Sequence, residues 1–226
     1  MIMNCLFIIP ARGGSKGIPK KNIKKLNGKP LIQYSIDVAR ALTTDNNICV
    51  STDDIEIFNI VEDYGLNVPF IRPAELATDT TGSYEVLIHA LNYYESLGRQ
   101  FDVIVLLQPT SPLRTSEEVK DAISLFEKEL DMVVSVRESH SASVICLENE
   151  FGYLELPLAK HATRRQEIIN YYEYNGAIYV INIECLREKH LREFNKIKKY
   201  IMCQEHSIDI DTKLDWLLAE SILTTI

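Results

Sequence analysis

The chain has 226 residues, 46% apolar and 25% charged, the balance of a soluble globular protein with room for one large domain or a domain with a small appendage. No apolar run approaches the roughly 20 residues of a membrane span, and the opening Met-Ile-Met-Asn-Cys-Leu-Phe-Ile-Ile-Pro lacks the basic flank and cleavage site of a signal peptide, so a cytoplasmic protein with no membrane partner is expected. A net charge of −8 argues against nonspecific nucleic-acid binding.

The charge is unevenly placed. Arg12, Lys16, Lys20, Lys21, Lys24, Lys25 and Lys29 all precede the first acid, Asp37, leaving 17 Lys/Arg against 32 acids in the remainder. Such a cationic end is either a solvated loop or a site for a polyanion such as a nucleoside triphosphate. Cys5, Cys49, Cys146, Cys185 and Cys203 are scattered, mostly in apolar runs, so neither a disulfide framework nor a zinc site is expected.

Short β-rich runs alternate with amphipathic helical stretches. Residues 4–9 read as a first strand. A helix over about 30–42 follows, with Pro30 in its first turn and Leu31, Ile32, Ser35, Ile36 and Ala39 on its inner face. Residues 48–51 read as a strand, Thr52 or Asp53 as the cap of a helix through Val61, and 68–71 as a short strand. A helix is predicted over 83–97. Residues 101–107, nearly continuous apolar, predict a strand buried on both faces. A helix over 116–130 and a strand over 132–136 follow. From Arg137 to about Asn170 the periodicity degrades, which predicts an arm or small β extension. The pattern returns with strands over 174–181 and 199–203, a helix from about Ile183, and a last helix starting at Asp211 or Thr212. The alternation implies an α/β fold with a mainly parallel, Rossmann-like sheet flanked by helices. Ligands in such sheets bind beyond the carboxyl ends of the strands, here the loops after Ile9, Ser51, Leu107 and Cys203.

The loop after the first strand is Pro10-Ala11-Arg12-Gly13-Gly14-Ser15-Lys16-Gly17-Ile18-Pro19-Lys20-Lys21-Asn22. Its glycines permit close backbone approach, so amides can converge on phosphate oxygens, and Arg12, Lys16 and Lys21 add charge there. It matches neither the P-loop nor the GxGxxG pattern. Asp209 and Asp211 flank Ile210, and on extended backbone they share one face. They are either an exposed acidic pair or a seat for a cation. Gln108-Pro109-Thr110-Ser111-Pro112-Leu113-Arg114 follows the most buried strand as a proline-stiffened turn.

Residues 11–17, with Lys21-Asn22 and Leu26-Asn27-Gly28-Lys29-Pro30-Leu31, resemble the opening of the acylneuraminate cytidylyltransferases, or CMP-sialic acid synthetases. The resemblance continues through Val50-Ser51-Thr52-Asp53, Arg72-Pro73-Ala74-Glu75-Leu76-Ala77, Gln108 to Arg114, Asn175-Gly176-Ala177-Ile178-Tyr179 and Ser207 to Thr212. It is weakest in the arm. It implies a nucleotidyltransferase that joins CMP from CTP to the anomeric hydroxyl of a nine-carbon sialic-acid-type sugar, releasing pyrophosphate. By the same resemblance Arg12, Gly13, Gly14, Ser15, Lys16 and Lys21 hold the nucleotide phosphates, and Asn22, Arg72 and Ser83 select cytosine. Gln108, Tyr179 and Arg165 contact the sugar acid, with Arg165 reaching in from the partner of a homodimer. Asp209 and Asp211 bind Mg²⁺. Arg12, Lys21 and Asp211 are expected to carry the chemistry. Arg192-Glu193 beside Phe194, and Glu173, depart from relatives that use N-acetylneuraminate. A legionaminic acid, another base or sugar, and a non-catalytic nucleotide sensor therefore stand as alternatives.

Overall fold

The computed structural model describes residues 3–15, 17–78, 80–139, 145–155 and 171–225. Its centre is a six-stranded sheet built from β1 (Cys5–Pro10), β2 (Ile48–Ser51), β3 (Val103–Leu107), β4 (Met132–Ser139), β5 (Tyr171–Asn182) and β6 (Ile197–Ile201). The order across the sheet is β6-β4-β5-β3-β1-β2. Strand β5 runs antiparallel to both of its neighbours, and every other pair is parallel. The sheet is therefore mainly parallel, as the alternation of patterns implies. Because β5 is reversed, its beginning lies with the carboxyl ends of the other strands.

Helices α1 (Leu31–Arg40), α2 (Ile55–Asp63), α3 (Ser83–Ser96), α4 (Ser116–Ser124), α5 (Ile183–Glu188) and α6 (Lys213–Thr225) pack around it. Alternate strand residues bury to opposite faces. Phe7, Ile9, Val103 and Val105 meet Ile32 and Ile36 of α1 and Val61 of α2. Leu6, Ile8, Ile104 and Leu106 meet Leu87 and Leu91 of α3 and Leu186 of α5. Both faces are covered, which is why β1 and β3 read as unbroken apolar runs. Each such side chain contributes about 1.5–3 kcal/mol on burial. A third cluster, including Ile18, Leu31, Leu113, Ile210 and Trp216, lies under the loops at one end of the sheet.

Several boundaries differ from expectation. The α2 cap is Asp54, whose carboxylate accepts from the amides of Glu56 and Ile57 at 2.7 and 3.2 Å. Thr52 instead accepts from the Asp54 amide. Helix α3 starts at Ser83 as expected, with Gly82 at its cap position, and ends one residue early at Ser96. Residues 68–71 form no strand, only a single bridge between Thr52 and Ile71. Helix α4 stops at Ser124, six residues early, and residues 125–130 turn back toward β4. Thr115 and Glu118 close its N-terminus with a reciprocal capping box.

The expected arm also begins later than Arg137. Arg137, Glu138 and Ser139 pair with Glu173, Tyr172 and Tyr171, lengthening β4 and β5 into a two-stranded ribbon. The polar sequence is tolerated there because Arg137 pairs with Glu173 at 2.8 Å and Ser139 donates to the same carboxylate at 2.5 Å. A small hairpin joins Leu147–Glu148 to Leu154–Glu155. Most of the rest of the expected arm lies outside the described residues. Of the five cysteines Cys49 is buried, Cys5 and Cys185 are partly buried, and Cys146 and Cys203 are exposed although most lie in apolar runs. No described helix is long and apolar enough to cross a membrane.

Candidate active site

The glycine-rich loop leaves β1 where Ala11 donates one further bond to the Ser51 carbonyl, at 2.9 Å. Its glycines have separate reasons. A Cβ on Gly13 would sit 2.3 Å from the Asp54 carboxylate, and one on Gly17 would sit 2.2 Å from the Asp211 carbonyl oxygen. Neither position accepts a side chain without moving its neighbour. A Cβ on Gly14 would meet nothing within 4 Å among the described residues, and Gly14 lines the cleft. The Gly13 amide donates to Asp53 at 3.2 Å. Asn22 is buried, and its amide nitrogen donates to the Arg12 carbonyl at 3.0 Å, so the end of the loop holds its beginning. Arg12 reaches the Thr78 carbonyl at 3.4 Å.

Asp209 and Asp211 flank the fully buried Ile210, and both line the cleft. The Ile210 amide donates to Thr110 at 2.8 Å, which ties this segment to the loop after β3. Lys21 closes the third side: its ammonium donates to the Ile210 carbonyl at 2.6 Å and to the Asp211 carboxylate at 2.9 Å. Burial pushes the Asp209 carboxyl up, offset by a hydrogen bond from Thr110 and raised further by the charge of Asp211, with Lys21 acting in the opposite sense. Gly176 approaches from β5 at φ +74°, a left-handed conformation suited to glycine, and a Cβ there would lie 3.4 Å from the Asp209 carboxylate.

The loop after β3 is held from beneath by Arg114. This fully buried guanidinium donates to the carbonyls of Gln108 and Ser111 at 2.7 and 2.8 Å and also to the Ser35 hydroxyl. Burial lowers its pKa to about 9, with Glu118 opposing the shift. Tyr179 is pushed up to about 12 by burial first and then by the nearby charge of Asp209.

These elements enclose a cleft of about 350 Å³ lined by Arg12, Gly14, Ser15, Lys21, Asn22, Gln108, Asp209 and Asp211, among others. A second hollow of about 210 Å³ shares Pro10, Arg12 and Gln108 with it and adds Arg72 and Ser83. Arg72 is buried and donates to the Ser51 carbonyl at 2.9 Å. Burial lowers its pKa, with Asp53 opposing. Its Nε has no hydrogen-bond partner among the described residues. Residues between 12 and 211 thus meet at two joined hollows beyond the carboxyl ends of the parallel strands, where the α/β rule directs attention. Lys16 and Arg165 lie outside the described residues.

Sequence reasoning missed the polar frame behind the site. Buried Asn175 accepts from the Ser135 hydroxyl at 2.6 Å and donates to the Ser207 hydroxyl at 2.9 Å, and Ser207 donates to the Cys203 carbonyl at 2.6 Å. This chain of bonds fixes the turn that leads into Asp209. The signal was present as Asn175-Gly176 and Ser207, but the partners are too far apart in sequence to be paired by pattern. The residues that depart from relatives using N-acetylneuraminate have structural roles: Glu173 pairs with Arg137, Glu193 completes a cap with His190, and Phe194 is buried.

The chain matches the cytidylyltransferase family model over residues 6–220. It is 37% identical over 225 residues to an N-acylneuraminate cytidylyltransferase of Escherichia coli O18:K1:H7, covering 96% of this chain and 51% of that protein. It therefore spans about half the length of that relative. It is 33% identical to a CMP-N,N'-diacetyllegionaminic acid synthase of Legionella pneumophila, covering 98% of this chain and 97% of the relative. In fold it resembles a CMP:2-keto-3-deoxy-manno-octonic acid synthetase solved with CTP, at a TM-score of 0.74 and 18% identity over 98% of this chain and 99% of the other. With the family model spanning nearly its whole length, the chain belongs to the cytidylyltransferases.

Proposed function

We propose that the protein transfers CMP from CTP to the anomeric C2 hydroxyl of a nine-carbon keto sugar acid, releasing pyrophosphate. The observation that carries this reading is the pair of joined hollows, one basic and glycine-lined with two carboxylates at its edge, the other closed by Arg72 and Ser83. The first suits a triphosphate. The second suits a pyrimidine, whose edge asks for mixed donors and acceptors. Arg12, Lys21 and the loop amides, with Ser15 and Lys16, hold phosphate charge. Asn22, Arg72 and Ser83 face the base, and Gln108, Tyr179 and Arg165 orient the sugar acid. Catalysis is mainly positioning and charge stabilisation around an in-line displacement at the α-phosphate.

The residues present fit a hard divalent cation, Mg²⁺. Asp209 and Asp211 are oxygen donors on one side of the cleft, and the raised pKa of Asp209 reflects a charge that a cation would relieve. Bound there, Mg²⁺ would supply neutralising charge to the triphosphate and to departing pyrophosphate. Lys21, already on Asp211, keeps that carboxylate oriented toward the cleft.

The arm, continuing from the β4–β5 ribbon, serves a homodimer in this reading. Its hairpin exposes Leu147, Phe151, Tyr153 and Leu154, apolar surface that a second subunit would cover. A legionaminic acid stands as the alternative sugar, since the chain is 37% identical to the Escherichia coli N-acylneuraminate cytidylyltransferase and 33% identical to the Legionella CMP-N,N'-diacetyllegionaminic acid synthase.

The test is pyrophosphate release over a matrix of the four nucleoside triphosphates and several nonulosonic acids. CTP-dependent release with one of these acids is expected. Equal release with UTP or ATP, or release independent of the acid, refutes the reading.

A further inference from the structure

A second cluster of metal-ligating side chains lies outside the cleft. Glu118, Cys203 and His206 present one carboxylate oxygen, one sulfur and one ring nitrogen that all lie within 4.8 Å of one another. The spacing Cys203-Gln204-Glu205-His206 is Cys-x-x-His, a ligand spacing that runs against the expectation of cysteines without a metal pattern.

The three groups are held from behind. One oxygen of Glu118 is fixed by the α4 capping box, accepting from the Thr115 amide at 2.8 Å and from its hydroxyl at 3.2 Å. That leaves the other oxygen facing His206 Nδ1, at 2.8 Å. Cys203 and His206 share one tight turn, closed by Ser207, whose amide donates to Gln204 at 3.1 Å and whose hydroxyl donates to the Cys203 carbonyl. Asn175 anchors Ser207 from the buried side. Held supports of this kind are what orient metal ligands.

We propose that Glu118, Cys203 and His206 bind a thiophilic divalent cation of the Zn²⁺ class, with a fourth position open to water. A mixed sulfur, nitrogen and oxygen set suits Zn²⁺ and is poorly matched to Mg²⁺, so the site is chemically distinct from the all-oxygen pair Asp209 and Asp211. Tetrahedral ligation at ordinary bond lengths places ligand atoms roughly 3.3–3.6 Å apart. Side-chain rotation on the exposed Cys203 closes the gap to sulfur, and the contact between His206 and Glu118 widens by about half an ångström. On binding, the Cys203 thiol gives up its proton to solvent, and His206 binds as the neutral ring with its single proton on Nε2, which frees Nδ1 for the cation. The cation would join the N-terminus of α4 to the turn that leads into Asp209. It would thereby brace the acidic segment from outside the cleft.

Co²⁺ is the probe. Metal-free protein, kept reduced, is titrated with Co²⁺ and followed by absorption. One equivalent is expected to give a thiolate-to-cobalt charge-transfer band in the near ultraviolet and visible bands of tetrahedral intensity, both displaced by Zn²⁺. Binding at Asp209 and Asp211 gives no thiolate band, so it cannot mimic this result. Cys203→Ser should abolish the charge-transfer band, and His206→Gln should weaken Co²⁺ affinity at least tenfold. Cys146→Ser should keep both signals. Circular dichroism melts on each variant establish that it is folded. The absence of a thiolate band in the parent, its survival in Cys203→Ser, or its loss in folded Cys146→Ser overturns the proposal.

Discussion

Replacing Gly17 by alanine tests the geometry of the cleft with a single methyl group. The added Cβ would sit 2.2 Å from the Asp211 carbonyl oxygen. Ordinary C···O contacts lie at about 3.3–3.6 Å, so the two backbones must part by roughly 1 Å. Neither gives way easily. Neighbouring Ile210 is bound through its amide to Thr110 and through its carbonyl to Lys21, and the Asp211 amide donates to Asp215 at 3.1 Å. Forced overpacking of this kind costs about 1–3 kcal/mol. At roughly 2–4 °C per kcal/mol for a chain of this size, the melting temperature should fall by about 2–12 °C. Activity should suffer more than stability, because a shift of about 1 Å in a positioning group costs on the order of 10²-fold. Gly14→Ala is the matched control for stability, since its Cβ would meet nothing within 4 Å among the described residues. The assays are thermal denaturation and pyrophosphate release at saturating CTP. Equal melting temperatures for the two variants, or turnover by Gly17→Ala within threefold of the parent, would refute the reasoning.

Asp211→Ala should abolish pyrophosphate release while changing stability by no more than about 0.5 kcal/mol, because the side chain is exposed; denaturant unfolding measured beside the activity assay checks both halves. Asp131→Asn probes the fold instead. Burial would raise this carboxyl, but Lys189 and the amides of Lys196 and Asn195 hold it below the usual carboxylate range. Its contribution is therefore complete above that range and is lost as pH falls through it. The variant should be about 1 kcal/mol less stable at pH 7, and the difference should shrink toward pH 3 in parallel urea titrations. Mixing Arg165→Ala with Asp211→Ala should restore part of the activity if the arm acts in trans, because one site of each mixed dimer is intact. No recovery despite demonstrated subunit exchange, or a monomer by light scattering at assay concentration, counts against a shared site.

The strands and helices of the sheet were legible because their signals are local. Five apolar residues in β3, all buried, can be little else, and the inner face of α1 was read residue by residue. The errors fall where tertiary contacts override the local pattern. Asp54 caps α2 because Thr52 binds the Asp54 amide and Asp53 is drawn to the Gly13 amide. Arg137, Glu138 and Ser139 look like a loop yet form a strand, since the acid that neutralises Arg137 lies 36 residues away. The cleft was legible for a different reason: its residues sit in contiguous loop motifs. What joins those motifs was not. The bonds from Lys21 to Asp211, Arg114 to Ser35 and Asn175 to Ser207 each link separate segments.

The short segment Asp209-Ile210-Asp211 shows how chemistry and anchoring divide within one motif. The two carboxylates carry the charge, but the residue between them decides where that charge goes. Ile210 is fully buried among Ile18, Leu31, Leu113 and Trp216, and on extended backbone its neighbours must then face the other way, into the cleft. Ile18 lies within the glycine-rich loop and Leu113 near the end of the loop after β3, so the same apolar cluster sets the spacing of all three loops. Burying Ile210 contributes about 1.5–3 kcal/mol, enough to hold two like charges side by side where exposed aspartates would otherwise move apart. Burial first, and the charge of Asp211 after it, leave Asp209 with a raised pKa. A polar residue at position 210 would free the segment to turn over. The predicted loss of function from such a change lies in orientation, with every charged residue of the cleft still present.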